Sequence, residues 1–293
     1  MLFTSHTFRS ALLACAAVTA SLSAAGAAEP IRIVFQNGRA VDISAVAVQG
    51  EKLVITAAAD GFSPGQSFGL ETADHVFGEK PAELNPAIAL LLMGKPAEAL
   101  KLLEPIVVAH RATARIPGNF WLEAARAALV AHANVGATAK CNELGKEISD
   151  ATPVQGSDPF IALGKALLIP PSSKIDERMM AFSDLTTDNL PADVCAYASF
   201  YRANLLKNAK RNPDAAAAAK QEQEILEAYL TVPCLFPSGG MILNAVAELE
   251  ASAILNAFDG RREEAIALLT SSIRHSTGTL VTVEANKRLE SLK

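Results

Sequence analysis

The chain has 293 residues, a net charge of −5 and 50% hydrophobic residues, but only 5% aromatic ones. A mildly acidic chain without a Lys/Arg cluster is a poor match for nucleic acid. With so few aromatic rings, Ala, Leu, Ile and Val must fill the core. That composition suits short, closely packed helices, because a methyl side chain lets backbones approach at almost no rotamer cost.

Residues 1–28 carry Arg9 and no acid, then the apolar stretch Ala11 to Leu22, then Ala24-Ala25-Gly26-Ala27-Ala28 ahead of Glu29-Pro30. This is the three-part layout of a secretory signal peptide, with cleavage after Ala27 or Ala28. The apolar part is shorter than the ~20 residues that a bilayer requires. Leu12-Leu13-Ala14-Cys15 resembles a lipobox, but too few apolar residues precede Cys15 to favour lipid anchoring. The expectation is an exported protein, periplasmic or secreted, with no transmembrane segment in the mature chain.

From residue 29 to 78 the period is two. Ile31, Ile33 and Phe35 alternate with polar neighbours or small apolar ones, and Asn37-Gly38 is a tight-hairpin signal. Val41 and Ile43, then Val46 and Val48, predict a second strand with an irregularity at Ser44. Leu53, Ile55 and Ala57 predict a third strand, Gln66 to Leu70 a fourth, and His75-Val76-Phe77 a closing segment. The rhythm resembles an SH3-like or Sm-like half-barrel, a small antiparallel β-meander whose apolar face needs a cover.

Everything from residue 79 to 293 reads as helical. Five hairpins are expected: Ala82–Met93 with Ala97–Ala109, Asn119–Asn134 with Thr138–Ser149, and Asp158–Leu168 with Lys174–Thr187. Pro191–Lys210 with Asp214–Leu230 and Met241–Phe258 with Arg262–His275 complete the set, ahead of an amphipathic capping helix to Leu292. Asn212 suits an N-cap and Pro213 a first helical turn.

The turn Gly94-Lys95-Pro96-Ala97-Glu98-Ala99-Leu100 returns as Gly260-Arg261-Arg262-Glu263-Glu264-Ala265-Ile266, at a distance of about five units of roughly 34 residues. On these two turns the region resembles a tetratricopeptide-type (TPR-like) helical repeat, although the middle pairs also fit another α-solenoid pairing. The expected fold class is therefore α+β, mainly α: the small β-meander followed by a TPR-like right-handed α-solenoid.

The resemblance implies a groove lined by the first helix of each pair. It places Tyr201, Asn208, Glu250 and Phe258 there, with Leu84, Leu91 and Leu92 forming an apolar first unit on which the β-meander would pack. Trp121 is a further anchor candidate, since tryptophans dominate many interfaces. The implied role is a non-catalytic scaffold for a protein or peptide partner.

Chemistry has little to stand on. His75, His110, His132 and His275 are scattered, Gly164-Lys165 lacks the phosphate-loop glycine spacing, and no Gly-x-Ser-x-Gly elbow occurs. No cofactor or metal is expected. Glu263 and Glu264 suit a first helical turn. An exported hydrolase using Glu248 and Glu250 is the rival reading, and it requires both carboxylates to face one cleft. A self-associating envelope protein with an open β edge is another. Of Cys141, Cys195 and Cys234, the pair Cys195–Cys234 would meet at one end of a hairpin and could form a disulfide, while three free thiols fit equally well.

Overall fold

The computed structural model describes residues 30–152 and 157–292. The signal-peptide and Cys15 expectations lie outside the described residues. Among the described residues, no helix is long and apolar enough to cross a membrane.

Six strands form the N-terminal module: β1 (Arg32–Phe35), β2 (Ala40–Asp42), β3 (Val46–Gln49), β4 (Lys52–Ile55), β5 (Ser67–Gly69) and β6 (Ala73–Phe77). The Asn37-Gly38 hairpin forms, with Gly38 at φ 78° and the Phe35 N–H donating to the Arg39 carbonyl. The irregularity at Ser44 is a 3-10 turn over Ile43–Ala45, where the Asp42 carboxylate accepts from the Ser44 backbone and hydroxyl. That turn breaks the predicted second strand in two and sends each half to a different sheet. The sheets are β2-β1-β6 and β3-β4-β5, both antiparallel.

Ile33, Phe35, Val41, Leu53, Ile55 and Val76 fill the space within the module, and Phe35, Phe62 and Phe68 meet ring to ring at 5.1–5.6 Å. Ile116, from the link between the second and third helices, completes this core. The cover is therefore that link and not the first hairpin. The Val76 N–H donates to the Pro117 carbonyl, and Arg115 makes two hydrogen bonds to Glu51. Leu84, Leu91 and Leu92 belong instead to the helical core, which corrects the expected docking.

The five expected hairpins are present. Their first helices are α1 (Leu84–Leu92), α3 (Trp121–Asn134), α5 (Pro159–Leu168), α7 (Ala192–Asn208) and α9 (Met241–Leu255). Their partners are α2 (Pro96–His110), α4 (Thr138–Ala151), α6 (Ile175–Ser183), α8 (Ala215–Leu235) and α10 (Arg262–His275), followed by α11 (Leu280–Ser291). Two local details differ from expectation. Asp214 is the N-cap of α8, accepting from the Ala217 N–H, while Asn212 holds the preceding turn by accepting from the Asp214 N–H. α8 also continues through Pro233 to Leu235 instead of stopping at Leu230.

The hairpins do not stack as an open array. α1 packs on α3, α3 on α5, α5 on α7, α7 on α9, and α9 packs back on α1. In an open solenoid each unit touches only its neighbours. Here five helices close into an inner ring, each backed by its partner, and α11 seals the closure by touching α1, α9 and α10. Small residues permit it: Ala124, Ala127, Ala128 and Ala131 of α3 and Ala245, Ala247 and Ala251 of α9 are all buried. α9 is apolar nearly all round, as a helix enclosed by neighbours must be.

Candidate functional site

Two cavities mark the ends of the ring. Residues from the starts of all five inner helices line one of about 350 Å³. The other, about 700 Å³, is lined by the ends of α1, α3, α7 and α9 together with parts of α6 and α11. The inner helices therefore run in the same direction, and the ring has a narrow mouth and a wide one.

The wide mouth gathers three of the sequence-derived groove residues. Tyr201, Asn208 and Glu250 all line it, beside Leu91 and Leu92. Tyr201 sits deep, stacked 6.4 Å from Phe182, and its hydroxyl accepts from Asn134 Nδ2 at 3.1 Å. Burial pushes its phenol well above the ordinary tyrosine range. Asn208 is exposed at the rim, where α7 ends. Glu250 accepts from Lys207 Nζ and lies 3.7 Å from Arg288 Nη2. Arg288 also donates to Glu284 at 3.0 Å and to the Leu249 carbonyl at 2.9 Å, so it is fixed from three sides.

Arg178 stands apart from these pairs. Its Nη1 donates to the Ile169 carbonyl and its guanidinium lies 5.6 Å from the Phe182 ring. Its Nε is buried with no hydrogen-bond partner, and among the described residues it has no carboxylate partner. Burial draws its pKa below the usual arginine value. Neither Arg178 nor Arg288 is legible in the sequence as a site residue. Arg178 follows Asp176-Glu177 in what reads as a solvated first turn, and Arg288 belongs to a helix that reads as a solvated cap.

Two other candidates lie elsewhere. Trp121 is only 1% exposed, packed into the main core, so it offers no accessible anchor. Phe258 is half-buried in the turn after α9, packed against the core and away from either mouth.

The acid pair of the rival reading separates. Glu248 is buried, accepts from the Ser271 hydroxyl at 2.8 Å and approaches His275 Nδ1 at 3.7 Å, while Glu250 opens into the wide mouth. Helical geometry turns residues two apart to different faces. The two carboxylates share no cleft.

The suggested Cys195–Cys234 bond is not formed. Cys195 is buried at the start of α7 with its thiol donating to the Thr187 and Leu190 carbonyls, and Cys234 is exposed near the end of α8. His110 and His132 lie in the last turns of α2 and α3, and both are buried.

In the narrow mouth the charges are paired. Lys80 Nζ donates to Glu123 at 2.6 Å, and Arg126 bonds both Asp158 at 2.7 Å and Asp193 at 3.1 Å. Ile88, Leu122, Phe160 and Ile242 supply an apolar wall. Comparison with family models, curated proteins and solved structures finds no match to this chain.

Proposed function

We propose that this chain is a non-catalytic, exported binding protein that takes a segment of a protein or peptide partner into the wide mouth of its helix ring. One observation carries the reading. Tyr201 and Asn208 of α7 and Glu250 of α9 line one cavity of about 700 Å³ together with Arg178, which has no carboxylate partner among the described residues. A cavity of that size holds a few side chains of a partner, within the range of roughly 300–1,000 Å³ common to binding sites. Export is supported by the tripartite layout of residues 1–28. In place of an open concave face, the partner would enter one end of a closed ring.

The test is site-specific photo-crosslinking in the envelope fraction, with the crosslinker replacing Asn208 in one variant and Phe258 in another. The expected outcome is a discrete polypeptide adduct from position 208 and none from position 258. Equal adducts from both positions, or none from either, would reject the wide mouth as the contact site.

A further inference from the structure

We propose that the cavity between α6, α7 and α8 binds a small hydroxylated monocarboxylate of the sugar-acid type, with its carboxylate on Arg202 and Ser199 and its hydroxyls against Ser183, Thr186 and Thr231. This cavity of about 330 Å³ shares no lining residue with either mouth of the ring, so the site does not rest on the reading given for the wide one.

The anion end is Arg202, from the second half of α7. Its Nε is buried and has no hydrogen-bond partner. Among the described residues, no carboxylate, carbonyl or aromatic ring engages any part of this guanidinium. No carboxylate lines the cavity, and Asp184, Asp188 and Glu227, the acids nearest to the wall in sequence, make no ion pair with Arg202. A partly desolvated guanidinium without a counter-charge is costly, and a carboxylate that takes its planar fork in two parallel bonds would remove that cost. Ser199 lies one turn earlier on the same face and is 5% exposed. Its hydroxyl has no hydrogen-bond partner among the described residues, so it supplies a further donor.

The other three hydroxyls have the opposite polarity. Ser183 donates to the Met179 carbonyl at 3.0 Å, Thr186 to that of Ser183 at 2.8 Å and Thr231 to that of Glu227 at 2.8 Å. With their hydrogens spent on the backbone they present lone pairs, which hydroxyls of a ligand can satisfy.

The net charge of the site selects the acid. α6 ends at Ser183 and α8 at Leu235, both in the wall, and the negative ends of these helices offset part of the arginine's charge. One negative charge fits and two do not, which favours a carboxylate over a phosphate dianion. Leu235 and Phe236 give the wall an apolar side for the carbon skeleton, and the volume holds one ring-sized molecule. Contacts outside the site hold its walls: Phe182 of α6 stacks 6.4 Å from Tyr201 of α7, and Tyr229 of α8 donates to Asn204 of α7 at 2.6 Å.

Isothermal titration calorimetry on the full chain tests this with D-glucuronate, D-glucose (no carboxylate), cyclohexanecarboxylate (no hydroxyls) and inorganic phosphate. D-glucuronate should bind, and each of the others should bind about tenfold more weakly or worse. Arg202→Met removes the fork and should weaken D-glucuronate about tenfold or more, while Arg202→Lys keeps the charge without the fork and should lose less. Ser199→Ala should weaken it about three- to tenfold. The proposal fails if D-glucuronate, D-galacturonate and D-gluconate give no binding heat at millimolar concentration. It fails equally if D-glucose, cyclohexanecarboxylate or phosphate matches D-glucuronate, or if whichever arginine variant folds by circular dichroism binds as the parent does.

Discussion

Arg126 Nη2 donates to the Asp158 carboxylate at 2.7 Å, joining α3 to α5, and Nη1 of the same guanidinium reaches Asp193 of α7 at 3.1 Å. One side chain thus ties three consecutive helices of the inner ring. The Asp158 side chain is 2% exposed, and its other oxygen caps α5 by accepting from the Phe160 N–H. Arg126→Met leaves that buried carboxylate without its cation, and breaking such a pair typically costs about 3–5 kcal/mol. Urea unfolding should show a lower midpoint with an unchanged slope. Lys80→Met, which breaks a pair exposed on both sides, should move the midpoint far less.

Ile116 joins the β-module to the ring. It is 1% exposed within the β core, although it belongs to the link between α2 and α3. Ile116→Ala should cost about 2–4 kcal/mol, the range for an aliphatic truncation in a packed core. The loss should be local. In hydrogen exchange, protection of the β1 and β4 amides should fall while that of α9 is retained. Equal loss in both would mean that the module and the ring unfold as one unit.

Local features of this fold are written plainly in the sequence, and its closure is not. Gly38, Gly94 and Gly260 each take positive φ, and turns stand at all three. The five hairpins follow from apolar periodicity because each helix buries one face against its own partner. Ring closure depends on α1 meeting α9, a long-range contact that leaves no periodic trace. Two copies of a turn signature therefore suggest an open repeat array where the helices close on themselves. The lining of the wide mouth was legible at Tyr201, Asn208 and Glu250, which the helical spacing turns to the inner side of α7 and α9. It was not legible at Arg178, whose isolation from carboxylates is a property of three dimensions.

Acid should destabilise the protein through its buried imidazoles. Burial lowers the pKa of His110, whose Nδ1 has no partner, and of His132, where Glu104 at 3.5 Å offsets part of the effect. A base with a depressed folded pKa takes up its proton more readily when unfolded. Its contribution is present above the ordinary histidine pKa of about 6.5 and is lost as pH falls through the lower folded value. The urea midpoint should therefore drop between about pH 7 and pH 5. His110→Phe, which can keep the edge contact to Phe120, should flatten that slope. An unchanged slope would assign the acid lability to other groups.

Glu248 acts in the opposite sense. Burial raises its pKa, outweighing the Ser271 hydroxyl bond and the nearby His275, which both lower it. A carboxylic acid with a raised folded pKa contributes fully below its unfolded pKa, and that contribution is lost as pH rises through the folded value. Glu248→Gln keeps the volume and an oxygen to accept from Ser271, but carries no charge to desolvate. The variant should have a higher urea midpoint than the parent under mildly alkaline conditions, with the gain shrinking to nothing as both states of the parent become protonated in acid. If the variant is instead less stable above neutral pH, attraction between Glu248 and His275 outweighs desolvation, and the carboxylate is held charged in the fold.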